Sequence, residues 1–204
     1  MLGSPLFSGE ETLSNFPFFD LSQNRTRREF LDLAGRKIRV RDAHVRDAVA
    51  LLEYNRNIDS ESRFLSREPG EMDLTVDEER GWIDSLLKQE NALILVAVHG
   101  DRVVGMLDFV GGTWSRIRHS GEFGISVAQE YWNAGIGSVL LDSLIDWAYK
   151  GGIIRKLRLR VLASNQAAIA LYKKKGFEVE GLHPHEVRIG GENFSLLSMG
   201  LVLE

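Results

Sequence analysis

The stretch that most restricts this chain is GEFGISVAQEYWNAGIGSVLL, residues 121–141. Phe123, Ile125 and Val127 alternate with Gly124, Ser126 and Ala128, the two-residue period of a strand with one apolar face, which predicts a strand from about Glu122 to Ala128. Ala134, Gly135, Ile136 and Gly137 follow, and then Val139, Leu140, Leu144 and Trp147 recur at helical spacing. A strand, a glycine loop and a helix in that order present unpaired N–H groups and the positive end of the peptide dipoles at the helix start, which suits an anion. The plain alternative is that the two glycines only make a tight turn. There is no GxGxxG and no GxxxxGK[ST] here, so a Rossmann dinucleotide site and a P-loop nucleotidase are disfavoured.

A second unit of the same kind follows. Leu157, Leu159 and Val161 have a strand pattern, and Asn165 to Lys175 reads as a helix with Gly176 at its C-terminal end, within VLASNQAAIALYKKKGFEVEG. The pairing of WNAGIGSVLL with N-x-x-A-I-x-L-Y-x-x-x-G-F, in this order and spacing, resembles the GCN5-related N-acetyltransferase (GNAT) superfamily. The resemblance covers roughly residues 38–203. It implies an α/β (α+β) acyl-CoA N-acyltransferase fold: a central mixed, largely antiparallel sheet of about seven strands, flanked by helices and splayed at its central parallel pair.

The rest of the chain reads in the matching order β-α-α-β-β-β-α-β-α-β-β. Residues 1–36 stand apart as a partly ordered N-terminal extension, Phe-rich at first, with a short helix expected from Thr26 to Leu31; residues 37–204 form the domain. Ile38 and Val40 open a short strand, and Asp42 is placed to cap the helix carrying Val45, Ala48, Val49, Leu51 and Leu52. Asn57 to Leu74 is polar with a Pro69-Gly70 turn and predicts a long loop. Thr75 and Glu78 match a capping box. Leu93 to Val98 and Val103 to Val110 read as a hairpin, and His183-Pro184-His185 with Gly190-Gly191 as the connection between two closing strands.

Composition excludes some chemistry. A net charge of −4 argues against a general nucleic-acid binder, and the absence of cysteine removes disulfides, thiol nucleophiles and Cys-based metal sites. No apolar run reaches the length of a membrane span and the N-terminus has no secretory pattern, so a cytoplasmic protein without membrane partners is the default expectation. No metal is expected, because the HxH at His183 and His185 has no cysteine to join it and an HxH on a loop is by itself too little for a metal site.

The resemblance implies acetyl-CoA as donor and assigns roles to particular residues. The turn Trp132, Asn133, Ala134, Gly135, Ile136, Gly137 and Ser138 would cradle the coenzyme A pyrophosphate on its backbone amides, although Trp132 stands where the family often has Gln or Arg. The backbone of Ile125, Ser126 and Val127 would hold the pantetheine arm and the acetyl oxygen. Tyr172 matches the tyrosine that protonates the departing thiolate, with plain packing as its alternative, and Asn165 matches the motif asparagine, equally suited to cap its helix. Glu122 is the candidate general base, because by alternation it shares a strand face with the small residues Gly124 and Ser126; the ordinary alternative is a surface carboxylate. His183 and His185 are weaker candidates near the acceptor.

The expected activity is direct transfer of acetyl from acetyl-CoA to a primary amine: a small amine, an amino acid or a polyamine. The alternatives are a peptide or ribosomal-protein N-terminal acetyltransferase and, from another class, a non-catalytic acyl-CoA-binding sensor. The N-terminal arm and the closing strands are both places where a second copy could join, so a homodimer stays open.

Overall fold

The computed structural model describes residues 28–204. Its sheet is built from β1 (Arg28–Leu31), β2 (Lys37–Asp42), β3 (Ala92–His99), β4 (Arg102–Gly111), β5 (Ser120–Val127), β6 (Lys156–Leu162), β7 (Glu178–Ile189) and β8 (Glu192–Val202). The spatial order is β1-β2-β3-β4-β5-β6-β8-β7, and every neighbouring pair is antiparallel except β5 and β6. This is the mixed, largely antiparallel sheet that the motifs imply, with one strand more than expected. Among the described residues four α-helices complete the fold: α1 (Ala48–Glu61), α2 (Val76–Leu87), α3 (Ile136–Gly151) and α4 (Gln166–Lys174). None of the described helices is long and apolar enough to cross a membrane.

The extra strand is β1, where a helix was expected from Thr26 to Leu31. Thr26 and the Phe-rich arm before it lie outside the described residues, but Arg28 to Leu31 pair with β2, setting Phe30 opposite Ile38. The turn between them is closed by Asp32, whose Oδ1 accepts the amides of Ala34 and Arg36 at 2.9 and 2.8 Å. A helix over the same residues would have left the outer backbone groups of β2 unpaired.

Three other boundaries move. The helix expected after Asp42 starts later, at Ala48, behind a single 3-10 turn of Val45–Asp47, and it is Asp47, not Asp42, that accepts the His44 amide at 2.7 Å. That helix also runs on to Glu61, since Tyr54, Asn55, Ile58 and Asp59 continue its buried stripe; the loop expected from Asn57 therefore begins only at Ser62. The segment His183 to His185 is not a loop: it lies inside β7, where a register irregularity between His183 and Val187 absorbs Pro184 and a left-handed His185 (φ 56°). The capping box is present, with the Glu78 amide donating to Thr75 Oγ1 and the Thr75 amide to Glu78 Oε2.

The two faces of the sheet have different covers. α1 and α2 pack on the face that carries Met106 and Asp108, whereas α3 lies on the opposite face against β2 to β5, where Phe109 meets Trp147 edge-on at 5.6 Å. β3 is an interior strand, third in the order, and is buried from Ala92 to Val98, as its continuous apolar run requires. On the α3 face, Phe123 of β5, Tyr172 of α4 and Phe177 form a triangle of edge-on rings, each such pair adding roughly 0.5–1.5 kcal/mol beyond area burial. This triangle fixes α4 against β5, next to the opening described below.

Candidate active site

The parallel pair is joined for only three residues: Ser120, Gly121 and Glu122 lie opposite Lys156, Leu157 and Arg158. β5 then continues to Val127 against β4, while β6 continues to Leu162 against β8, so the sheet opens between them from Phe123 onward. Hydrogen-bond parity decides which peptide groups face the opening. The Ala128 amide bonds the Val104 carbonyl and the Gly112 amide bonds the Ser120 carbonyl, so the even-numbered residues of β5 exchange bonds with β4. The peptide groups of Phe123, Ile125 and Val127 therefore turn outward, into the splay.

β5 leads into the glycine loop. Asn133 (φ 60°) and Gly135 (φ 85°) are both left-handed, and Gly135 serves as the N-cap of α3 with no side chain capping the helix. The first bond within α3 runs from Val139 to Gly135, which leaves the amides at the helix start without an intrahelical partner. The two glycines have different local reasons. Gly135 needs its φ, whereas a Cβ on Gly137 would come within 3.2 Å of Leu171 in α4, so that residue lets the two helices approach. Trp132 opens the loop half-exposed, and its Nε1–H donates to the Val127 carbonyl at 2.7 Å, tying loop and strand end together.

The other expected residues are placed as follows. Asn165 caps α4, its Oδ1 accepting the Ala168 amide at 3.2 Å. Tyr172 is buried in the aromatic triangle; burial pushes its phenol up to about 12, and among the described residues its hydroxyl has no hydrogen-bond partner. Glu122 sits at the last paired rung before the splay, exposed, with its Oε1 accepting from Arg160 Nε at 3.0 Å. His183 and His185 are exposed on β7, apart from this rung, and His183 Nε2 lies 3.1 Å from Ser198 Oγ.

Three residues that were not singled out in the sequence converge on the α1 face beside the splay. Asp108 of β4 lies opposite Gly124 of β5, where a Cβ would stand 3.1 Å from Asp108 Oδ1, so glycine leaves room for the carboxylate. Burial pushes Asp108 up to about 6, against the lowering effect of its own amide and of Arg67. Tyr54 of α1 meets Ser126 of β5, with Oη and Oγ at 2.9 Å, and burial pushes that phenol far above its usual range. Arg67 reaches in from the loop after α1, its Nε donating to the buried Asp59 at 2.7 Å. One signal was available for Asp108, as the single acid inside the apolar run Val103 to Val110; nothing local marks Tyr54 or Arg67.

Apart from these side chains, the loop 62–71 and the β7 residues Val187–Ile189 line a half-open cavity of about 340 Å³, together with Asp59, Ser60 and Glu61; Asp108, Tyr54 and Ser126 are not among its lining residues. That volume lies within the range of small-molecule sites.

The sequence model of the Acetyltransferase (GNAT) family matches residues 52–177. The chain is 33% identical over 100 residues to the L-amino acid N-acetyltransferase AaaT of Escherichia coli (strain K12), an alignment covering 49% of this chain and 62% of that protein. It is 49% identical over 55 residues to the [Ribosomal protein bS18]-alanine N-acetyltransferase of Escherichia coli (strain K12), covering 27% of this chain and 36% of that protein. The matches thus span less than two thirds of either relative. Among solved structures, the acetyltransferase of GNAT family from Streptococcus pneumoniae superposes with a TM-score of 0.79 and 31% identity, covering 81% of this chain and 99% of that one.

Proposed function

The chain belongs to the acetyltransferase (GNAT) family, and from that premise we propose that it transfers acetyl from acetyl-CoA directly to the primary amine of a small molecule. The observation that carries this reading is the continuity of the splay with the uncapped start of α3. The outward peptide groups of Ile125 and Val127 lead, through Trp132 and the left-handed Asn133 and Gly135, to a row of amides at a helix start. That combination suits a long donor with an acyl arm at one end and a pyrophosphate at the other. In this reading Gly135, Ile136, Gly137 and Ser138 hold the pyrophosphate, with Asn133 and Ala134 shaping the loop and Asn165 supporting the neighbouring helix.

The chemistry divides between two groups. As the amine nitrogen bonds the thioester carbonyl carbon and the carbon–sulfur bond breaks, the amine proton must leave and the thiolate must be protonated. Tyr172, fully protonated at neutral pH, serves the thiolate. For the amine proton two carboxylates lie on the α1 face. Glu122 is engaged by Arg160, whereas Asp108 has no side-chain partner among the described residues and burial pushes its carboxyl up to about 6, which supports Asp108 as the base.

A small acceptor is supported by the amino-acid relative. The ribosomal-protein relative favours a second reading, a peptide N-terminus as acceptor. Thiol release from acetyl-CoA against amino acids, polyamines and short peptides with free N-termini tests both. Turnover on a small amine supports the first reading and turnover on peptides alone the second. Silence together with undetectable coenzyme A binding would sink the family of proposals.

A further inference from the structure

Resting on the reading of the glycine loop as the coenzyme A site, we infer that Arg36 is a positioning residue for that loop, holding it from the turn between β1 and β2 through the ring of Tyr131. The glycine loop is preceded by one turn of 3-10 helix, Gln129–Tyr131, and Tyr131 is its buried member. The Arg36 guanidinium carbon stands 4.0 Å from the centre of the Tyr131 ring, within the distance at which a cation is held on an aromatic face. At the tip of the same side chain, the Tyr131 hydroxyl lies 2.9 Å from His99 Nδ1 at the end of β3. The ring is therefore held at its face and at its tip by groups from two other parts of the sheet.

Arg36 is itself fixed before it reaches the ring. Its Nε donates to Asp32 Oδ2 at 2.6 Å, and the Asp32 side chain, fully buried, also accepts the amides of Ala34 and Arg36 on Oδ1. With one edge of the guanidinium used by the carboxylate, its flat face is left for stacking, a geometry that an ammonium cannot reproduce. The adjacent Glu130 forms ion pairs with Arg36 at 3.5 Å and with Arg102 of β4 at 3.1 Å, so the turn is tied to both the β1–β2 and the β3–β4 hairpins. From Tyr131 the chain passes through Trp132 to the left-handed Asn133 and Gly135, so a fixed Tyr131 fixes the entry to the loop. Ordering a loop on binding costs affinity, and holding it in place beforehand removes that cost. Neither Asp32 nor Arg36 lies in the segment that the family model matches, residues 52–177, so this support comes from outside it, at the sheet's edge hairpin.

The test measures coenzyme A binding by calorimetric titration, and amide hydrogen exchange across residues 129–138, in the whole chain. Arg36→Gln should raise the dissociation constant about three- to tenfold, the worth of one stacked cation, and should speed exchange at Tyr131, Trp132 and Ala134, whose amides bond within this turn. Arg36→Lys, which keeps the charge without the flat face, should fall between. Because Arg36→Gln leaves a buried carboxylate behind, the Asp32→Asn/Arg36→Gln double variant repeats both readings without that charge, and the same changes are expected. Arg28→Ala is the control: it removes the ion pair between β1 and Asp146 of α3, loosening the strand without touching the turn, and should leave affinity within twofold. Affinity within twofold of the unaltered chain in the Arg36 variants, a loss confined to the single variant, or an equal loss in Arg28→Ala would each overturn the assignment while leaving coenzyme A binding standing. Absence of binding by the unaltered chain would overturn the reading of the loop and the assignment with it.

Discussion

The indole Nε1–H of Trp132 donates to the carbonyl oxygen of Val127 at 2.7 Å, so the side chain that opens the glycine loop closes onto the last residue of β5. The resemblance leads one to expect Gln or Arg at this position. Here an aromatic residue tethers the loop. The carbonyl it binds is one of those turned toward the splay, which places the tether where the proposed donor passes from pyrophosphate to acyl arm. Trp132→Phe keeps the ring and removes the donor, and should weaken coenzyme A binding by about three- to tenfold, the worth of one hydrogen bond, with kcat nearly unchanged. Calorimetric titration decides it, and tighter binding in the variant would mean that the indole competes with the cosubstrate for the Val127 carbonyl.

Tyr172 offers a cleaner separation of chemistry from structure. Its ring is buried between Phe123 and Phe177, and its hydroxyl bonds nothing among the described residues. Tyr172→Phe therefore preserves the packing that holds α4. Turnover should drop about 100-fold, the usual scale for a lost general acid, with coenzyme A affinity within twofold and the melting temperature unchanged. A normal kcat would remove the phenol from the reaction.

Asp108 makes a prediction about pH. Burial raises its carboxyl to about 6, so it must lose its proton before it can accept one from the amine. kcat/KM should climb as pH passes through about 6, and Asp108→Asn should erase that limb and lower the plateau about 100-fold. Glu122→Gln is the companion variant. If that change, and not Asp108→Asn, removed the limb, the proton would belong to Glu122 despite its ion pair with Arg160.

Glu79 has a cost that no site explains. It is 1% exposed on α2, and its Oε1 has no hydrogen-bond partner. Burial holds its carboxyl above the usual range. A carboxyl whose folded value is raised penalises the fold once pH exceeds the unfolded value of about 4.3, and the penalty is absent below it. Glu79→Gln should accordingly raise the melting temperature at about pH 8 by roughly 2–4 °C per kcal/mol relieved, and the gain should shrink toward zero near pH 4. Equal shifts at both pH values would locate the effect in packing and not in charge.

What the chain declares locally is the half of the site to which we assign the cosubstrate. The alternation around Phe123 to Val127, the Gly135 and Gly137 loop and the Asn165 to Gly176 helix are contiguous patterns, each specified by backbone periodicity or by a φ that only certain residues accept. They implied the fold family, the parallel pair and the capping role of Asn165, all of which the structure reproduces. The face to which we assign the acceptor had no such signature. Tyr54, Asp108 and Ser126 come from α1, β4 and β5, and they meet only because antiparallel pairing sets Asp108 against Gly124 and α1 lies across that face.

The same distinction accounts for the corrections. Arg28 to Leu31 follow a helical reading as a local string, yet they become a strand because β2 presents an edge to be paired. His183 to His185 look like a loop because Pro and His break a pattern, yet a register irregularity against β8 carries them within one strand. By itself, the sequence determined the family, the glycine loop and the strand–helix units that bear it, because those depend on neighbours along the chain. Tertiary structure alone decided which carboxylate beside the splay stands without a side-chain partner and which is tied to an arginine, Asp108 the first and Glu122 the second, because solvation and charge pairing depend on neighbours in space.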